Sequence, residues 1–200
     1  MAATPMSSSS RCASPDKTTR RAALVALAAV GLRPCVWAQS HPTQAPREVQ
    51  AALPGARLQG QGRLRFFGLH VYDIRLWSSS PLRGEDALRL GAALEIEYAR
   101  KLLGTLIAER SLTEMQRVAD IPAGDGERWL ATMKQLFPDV QAGDRITGVH
   151  QPGEGARFHL NGRLLGEVRD PTFARLFFGI WLSPRTSEPQ LRAALLGLAP

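Results

Sequence analysis

Histidines, cysteines, serines and paired carboxylates are the side chains best able to hold a metal or attack a substrate, and in this chain their placement favours neither. His41, His70, His150 and His159 fall at no metal-ligand spacing, and His150 and His159 flank a hairpin, where solvent exposure is expected. Ser111 and Ser187 stand where helices begin and read as caps, with no nucleophile elbow around either. Glu95 and Glu97 alternate along a strand and read as its wet face. Gly60-Gln61-Gly62 lacks the third glycine and the following helix of a dinucleotide fingerprint. That leaves the two tyrosines, Tyr72 and Tyr98, both in strand-like stretches, and the one asparagine, Asn161, in a turn.

The elements that must position these residues are written in the hydrophobic pattern. Phe173 to Leu182 reads FARLFFGIWL, apolar over roughly 240° of a helix at about 100° per residue. Such a helix belongs in a core and is too short to span a bilayer, which needs about 20 apolar residues. Asp170 can cap it and Pro171 can take its first position. Arg57 to Ser78 is strand-like, with Tyr72, Ile74 and Leu76 on one face, and Gly60, Gly62 and Gly68 suggesting bulges or bends. Ala93 to Tyr98 alternates again. Helical spacing begins near Lys101, and Ser111 followed by Glu114 is a capping-box signature that would restart or bend this helix. Trp129 to Phe137 is a third amphipathic helix, stopped by Pro138. Asp139, Asp144 and Arg145 read as turn residues before the next strand. Arg145 to His150 and Ala156 to Leu160 are short strands, and Asn161-Gly162 marks a tight hairpin into Arg163 to Val168, because both central residues of that turn need positive φ. A last helix, Pro189 to Leu196, ends at Gly197. The order is that of an α+β domain: an antiparallel sheet with a layer of helices packed on one face.

The N-terminus reads as a leader. Lys17, Arg20 and Arg21 precede the apolar run Ala22 to Leu32, and Val36-Trp37-Ala38 offers a cleavage site, so residues 1–38 are expected to be a signal peptide. The arginine pair also suits a twin-arginine signal. Export to the periplasm is therefore expected, with no stable membrane span after processing. Residues 39–56, with Pro42, Pro46 and Pro54, read as a flexible N-terminal arm before a domain at 57–200. The leader holds five basic residues against the single acid Asp16, so removing it lowers the charge from +7 to +3. No basic cluster remains, which argues against nucleic acid as a partner. Cys12 and Cys35 leave with it, and no disulfide, thiol nucleophile or thiolate ligand is then available.

Five stretches together carry a resemblance: GRLRFFGLHVYDIRLW at 62–77, ALEIEYAR at 93–100, SLTEM at 111–115, FPDVQAGDRITGVHQPGEGARFHLNG at 137–162 and DPTFARLFFGIWLSPRTSEPQLRAALLG at 170–197. In order and content the chain resembles the exported bacterial chalcone isomerase-like proteins. The resemblance implies a large antiparallel sheet, helices on one face and a cleft between them, and it implies no cofactor or metal. Catalytic relatives close a ring by adding a phenolate across an enone, using an arginine, a threonine on the first long strand, and a tyrosine and asparagine on the next helix. Here the helix after Lys101 contains neither of the latter two, and Phe67 takes the threonine's strand position. In fatty-acid-binding relatives a strand arginine and a following tyrosine hold the ligand carboxylate. The matching position is Leu64, flanked by Arg63 and Arg65 with Arg57 upstream, so at least one of these arginines is expected to reach the cleft and pair bidentately with an acid headgroup. The ligand-binding set expected is Arg57, Arg63, Arg65, Tyr72 and Tyr98. The leading reading is a non-catalytic exported protein binding a small apolar ligand such as a fatty acid. Two others stand beside it: an isomerase, an intramolecular lyase acting on a chalcone-like enone, and an envelope partner protein using the cleft as an interface.

Overall fold

The computed structural model describes residues 44–198. The leader, both cysteines and His41 lie outside the described residues. In chain order the elements are α1 (Arg47–Ala52), β1 (Arg57–Phe66), β2 (Leu69–Ser78), a 3-10 turn (Gly84–Leu88), β3 (Ala92–Tyr98), α2 (Gly104–Val118), α3 (Asp125–Leu136), β4 (Arg145–Gln151), β5 (Gly155–Leu160), β6 (Arg163–Val168), α4 (Pro171–Leu182) and α5 (Pro189–Leu196). The six strands form one antiparallel sheet in sequential order, so every strand pairs with its neighbour in the chain.

Two of the hairpins turn on a pair of residues at positive φ. Asn161 (φ 51°) and Gly162 (φ 84°) do so as their types predict. Phe67 (φ 48°) and Gly68 (φ 77°) do the same between β1 and β2. The glycine-broken stretch 57–78 is therefore two strands, and Phe67 occupies a turn instead of the strand position expected of it. An aromatic side chain in the left-handed region is uncommon, which is why this turn is not evident in the sequence.

Strand alternation sorts the sheet into two faces. Ile74, Leu76, Leu94, Ile96, Ile146 and Phe158 point into the main core, which also takes the buried faces of α2, α3, α4 and α5. Within α4, Asp170 Oδ1 accepts from the amides of Thr172 and Phe173 at 3.0 Å each, and Pro171 takes the first turn. The same carboxylate accepts from Trp129 Nε1 and Arg128 at 2.9 Å, tying α3 to the start of α4. Phe173 and Phe177 stack at 5.5 Å, and Phe177 meets Phe158 edge-on at 5.1 Å, so the aromatic helix locks onto β5.

Several expectations are corrected by this packing. Helix α2 runs unbroken from Gly104 to Val118. Ser111 is no cap: its hydroxyl donates to the Ile107 carbonyl at 2.8 Å, back-bonding within the helix. The N–H of Gly104 is satisfied from outside, by Asp139 Oδ1 at 2.9 Å. Secondly, α1 lies within the stretch read as an arm, and its Val49 packs with Trp77, Ala93 and Val149 on the second face of the sheet. Glu95, read as wet, lies on that covered face and is only 2% exposed. Its carboxylate accepts from Trp77 Nε1 at 2.8 Å and from Arg75 at 3.2 Å, while Thr147 donates to Glu48 of α1 at 2.9 Å. Thirdly, His150 is buried, its ring 5.0 Å from that of Phe178, and burial lowers its pKa.

Candidate functional site

Between the inner face of the sheet and helices α2 and α4 lies a cavity of about 460 Å³. That size falls within the range of small-molecule pockets. Its floor is Leu94, Ile96, Ile146 and Phe158, all inward-facing by strand alternation, and its roof is Ile107 of α2 with Phe177, Ile180 and Trp181 of α4. Gly148 also faces it, and a methyl group there would already touch the rings of Phe158 and Phe178 at 3.3 and 3.4 Å. The aromatic helix thus divides its labour by face: Phe173, Leu176, Phe178 and Leu182 fill the core, and the stripe of Phe177, Ile180 and Trp181 walls the cavity.

The polar groups gather at one end. Tyr72 and Tyr98 are register partners on β2 and β3, their rings 6.2 Å apart and edge-on. Trp181 Nε1 donates to Tyr72 Oη at 2.9 Å, which leaves the phenolic proton of Tyr72 available to an acceptor. Burial raises the pKa of both phenols, so both stay protonated donors at neutral pH. From α2 come Arg110 and the buried Glu114, 2.6 Å apart, and from the turn before α5 come Ser187 and Glu188. Arg110, Glu114 and Glu188 are all near enough to Tyr72 for their charges to bear on its proton. Arg100 and Lys101, where the chain leaves β3 toward α2, add cations to the wall.

Of the residues expected to bind ligand, Tyr72 and Tyr98 line this cavity, and Arg57, Arg63 and Arg65 do not. For Arg63 and Arg65 the reason is strand parity. Leu64, opposite Tyr72, faces the cavity, so its neighbours Arg63 and Arg65 face away. Arg63 is instead held by Asp73 across the hairpin, at 2.6 and 3.2 Å, and Arg65 donates to the Gly68 carbonyl. Arg57 is exposed at the far end of β1, opposite Ser78. Among the arginines that line the cavity, Arg110 of α2 is the one whose charge bears on Tyr72. Nothing in the sequence singles it out, because Arg110 stands among Glu109, Glu114 and Arg117 on a helix whose charged residues are expected to be solvated. Among the described residues no cluster of three His, Cys, Asp or Glu could hold a metal, and no helix is long and apolar enough to cross a membrane.

A meander sheet with an apolar cavity held under its helices and a phenol–guanidinium end defines a small α+β domain built to enclose a ligand-sized space. The chain belongs to the chalcone isomerase-like family, which matches residues 41–197. It is 30% identical over 149 residues to an uncharacterized protein of Haemophilus influenzae, covering 74% of this chain and 72% of that one. Its fold is shared with the crystal structure of an Arabidopsis thaliana fatty-acid binding protein, at a TM-score of 0.60 and 14% identity, over 78% of this chain and 90% of that chain.

Proposed function

We propose that this protein is a non-catalytic binder of a small apolar ligand carrying an acid headgroup, such as a fatty acid, and that it acts after export to the periplasm. The observation that carries the reading is the cavity's polarity: an apolar body under α4 and a polar wall where the Tyr72 phenol lies within reach of the charge of Arg110, itself paired with Glu114. The alkyl chain lies along Ile96, Phe158 and Phe177, and the carboxylate accepts from Tyr72 and from the guanidinium N–H groups of Arg110 that Glu114 does not take. The fatty-acid binding protein that shares the fold supports the ligand class. The helix that carries a tyrosine and an asparagine in ring-closing relatives presents Arg110, Ser111 and Glu114 to the cavity instead, which supports binding without catalysis. Export rests on the leader at residues 1–38. Native mass spectrometry of purified protein, followed by displacement of a fluorescent fatty acid by unlabelled acids, tests the reading. Copurifying acid and micromolar or tighter displacement are expected, and a lipid-free protein that displaces nothing would overturn it. Cell fractionation with N-terminal sequencing tests the export, with a mature start near Gln39 expected and an intact leader in the cytosolic fraction refuting it.

A further inference from the structure

We infer that the β1–β2 hairpin tip is a docking surface for anionic lipid bilayers, through which the cavity takes up or delivers its ligand. The tip exposes Phe67 at 89%, Phe66 at 58% and Leu69 at 55%. The two phenyl rings stand 4.6 Å apart, and Phe67 is kept at a positive φ that a glycine or asparagine would hold with less strain. Folding alone gives no reason for three large apolar side chains to share an exposed turn. The tip is also continuous with the site. Phe66 walls the cavity together with Leu106, Arg100 and Lys101, and the Ala99 amide donates to the Val71 carbonyl at 2.9 Å, so Arg100 leaves the sheet beside the base of the hairpin. Leu106, in the first turn of α2 and 54% exposed, lines the same cavity mouth as Phe66 and extends the apolar patch.

Charge decides the occupant. Arg65, Arg100, Lys101 and Arg110 are all exposed around this patch. Among the described residues Arg65, Arg100 and Lys101 pair with no carboxylate. A second copy docked tip to tip would set these cations against one another. An anionic headgroup layer would neutralise them, while a projecting pair of phenyl rings suits the boundary between headgroups and acyl chains. Apolar insertion flanked by several cations also supplies the two signals that lasting attachment to a membrane needs.

The inference rests on the ligand reading above, and the experiment separates the two. Full-length protein is sedimented with vesicles of phosphatidylcholine containing one quarter phosphatidylglycerol, and with pure phosphatidylcholine. Binding to the anionic vesicles that weakens as salt rises is expected, with a roughly fivefold loss for Arg65→Gln. The double variant Phe67→Ser/Leu69→Ser should lose at least tenfold in vesicle binding, yet displace a water-soluble fluorescent fatty acid like the wild type, because neither side chain lines the cavity. In Phe67→Trp the new indole should shift to the blue and be quenched by brominated lipid. An unchanged indole spectrum on adding vesicles would overturn the inference, as would wild-type vesicle binding by the double variant. So would a concentration-dependent dimer that the double variant abolishes. If vesicle binding behaves as described but no fatty acid is displaced, the ligand reading falls and the docking surface stands.

Discussion

Replacing Tyr72 by phenylalanine tests the site most directly, because it removes one oxygen and changes little else. In the folded protein that oxygen accepts from Trp181 Nε1 at 2.9 Å. Without it the indole N–H of a tryptophan only 8% exposed loses its partner. An unmet buried donor costs about 1–3 kcal/mol, and since this one borders the polar end of the cavity, the lower figure applies. For a domain of this size about 1 kcal/mol lowers Tm by about 2–4 °C. The effect on ligand is larger. A hydrogen bond to a charged acceptor contributes about 1.5–3 kcal/mol, so a fatty acid should bind roughly 10- to 100-fold more weakly to Y72F. The methyl ester of the same acid carries no charge and should lose only about threefold. Thermal melts followed by circular dichroism give the first quantity, and competition with a fluorescent acid gives the second. If acid and ester lose affinity equally, or neither loses any, the headgroup does not sit at Tyr72 and the ligand lies in the cavity the other way round.

The other predictions concern the elements that hold the site. Asp170→Ala removes the acceptor of two helix amides, an indole and a guanidinium, and should cost about 2–4 kcal/mol in urea unfolding at pH 7. Burial alone would raise the Asp170 pKa, but hydrogen bonds from Phe173 N–H, Trp129 and Arg128 outweigh it and hold the carboxyl below its ordinary value. The wild-type advantage should therefore be full above about pH 4 and shrink as pH falls through the folded value; a gap that stays constant down to pH 2 would refute this. Tyr72 and Tyr98 shift the other way, chiefly by burial. The folded protein keeps both protons where the unfolded chain has begun to lose them, so stability should fall above about pH 10, at up to about 1.4 kcal/mol per pH unit for each phenol. Y72F and Y98F should each flatten that alkaline limb, and unaltered slopes would contradict the burial. Finally, an absorbance assay with 2′-hydroxychalcones should show only the uncatalysed ring closure, and a rate proportional to protein concentration would revive the isomerase reading.

Where a single residue type determines the local geometry, the sequence is sufficient. Asn161-Gly162 specifies its turn, Asp170-Pro171 specifies the start of α4, and apolar alternation along β2 and β3 is enough to put Tyr72 and Tyr98 on the inner face. Sequence reasoning fails where a distant segment supplies the partner. Ser111 and Glu114 have the local form of a capping box, but Asp139, 35 residues after Gly104, caps α2 instead. Glu95 looks solvated until the short helix α1, hidden in a proline-flanked polar stretch, folds over it. Arg63 and Arg65 are misplaced by strand parity and Arg57 by its distance along β1, and Arg110 passes for an ordinary charged residue of a helix surface. The cavity itself is a property of three elements together and has no signature in any one of them.

One contact constrains the order in which the molecule can be made. A side chain at Gly60 would run into the carbonyl oxygens of Ala194 and Leu195, and one at Gly62 into Leu191, so β1 is shaped to receive α5 directly. Among the described residues, the first strand to leave the ribosome is thus covered by the last helix. Closing so long a loop is slow and entropically costly. Until it closes, the inner face of β1 stays bare and the turn carrying Ser187 and Glu188 has no fixed place at the cavity. Ligand capture should therefore be among the last events of folding, and a nascent chain should hold nothing until α5 has docked.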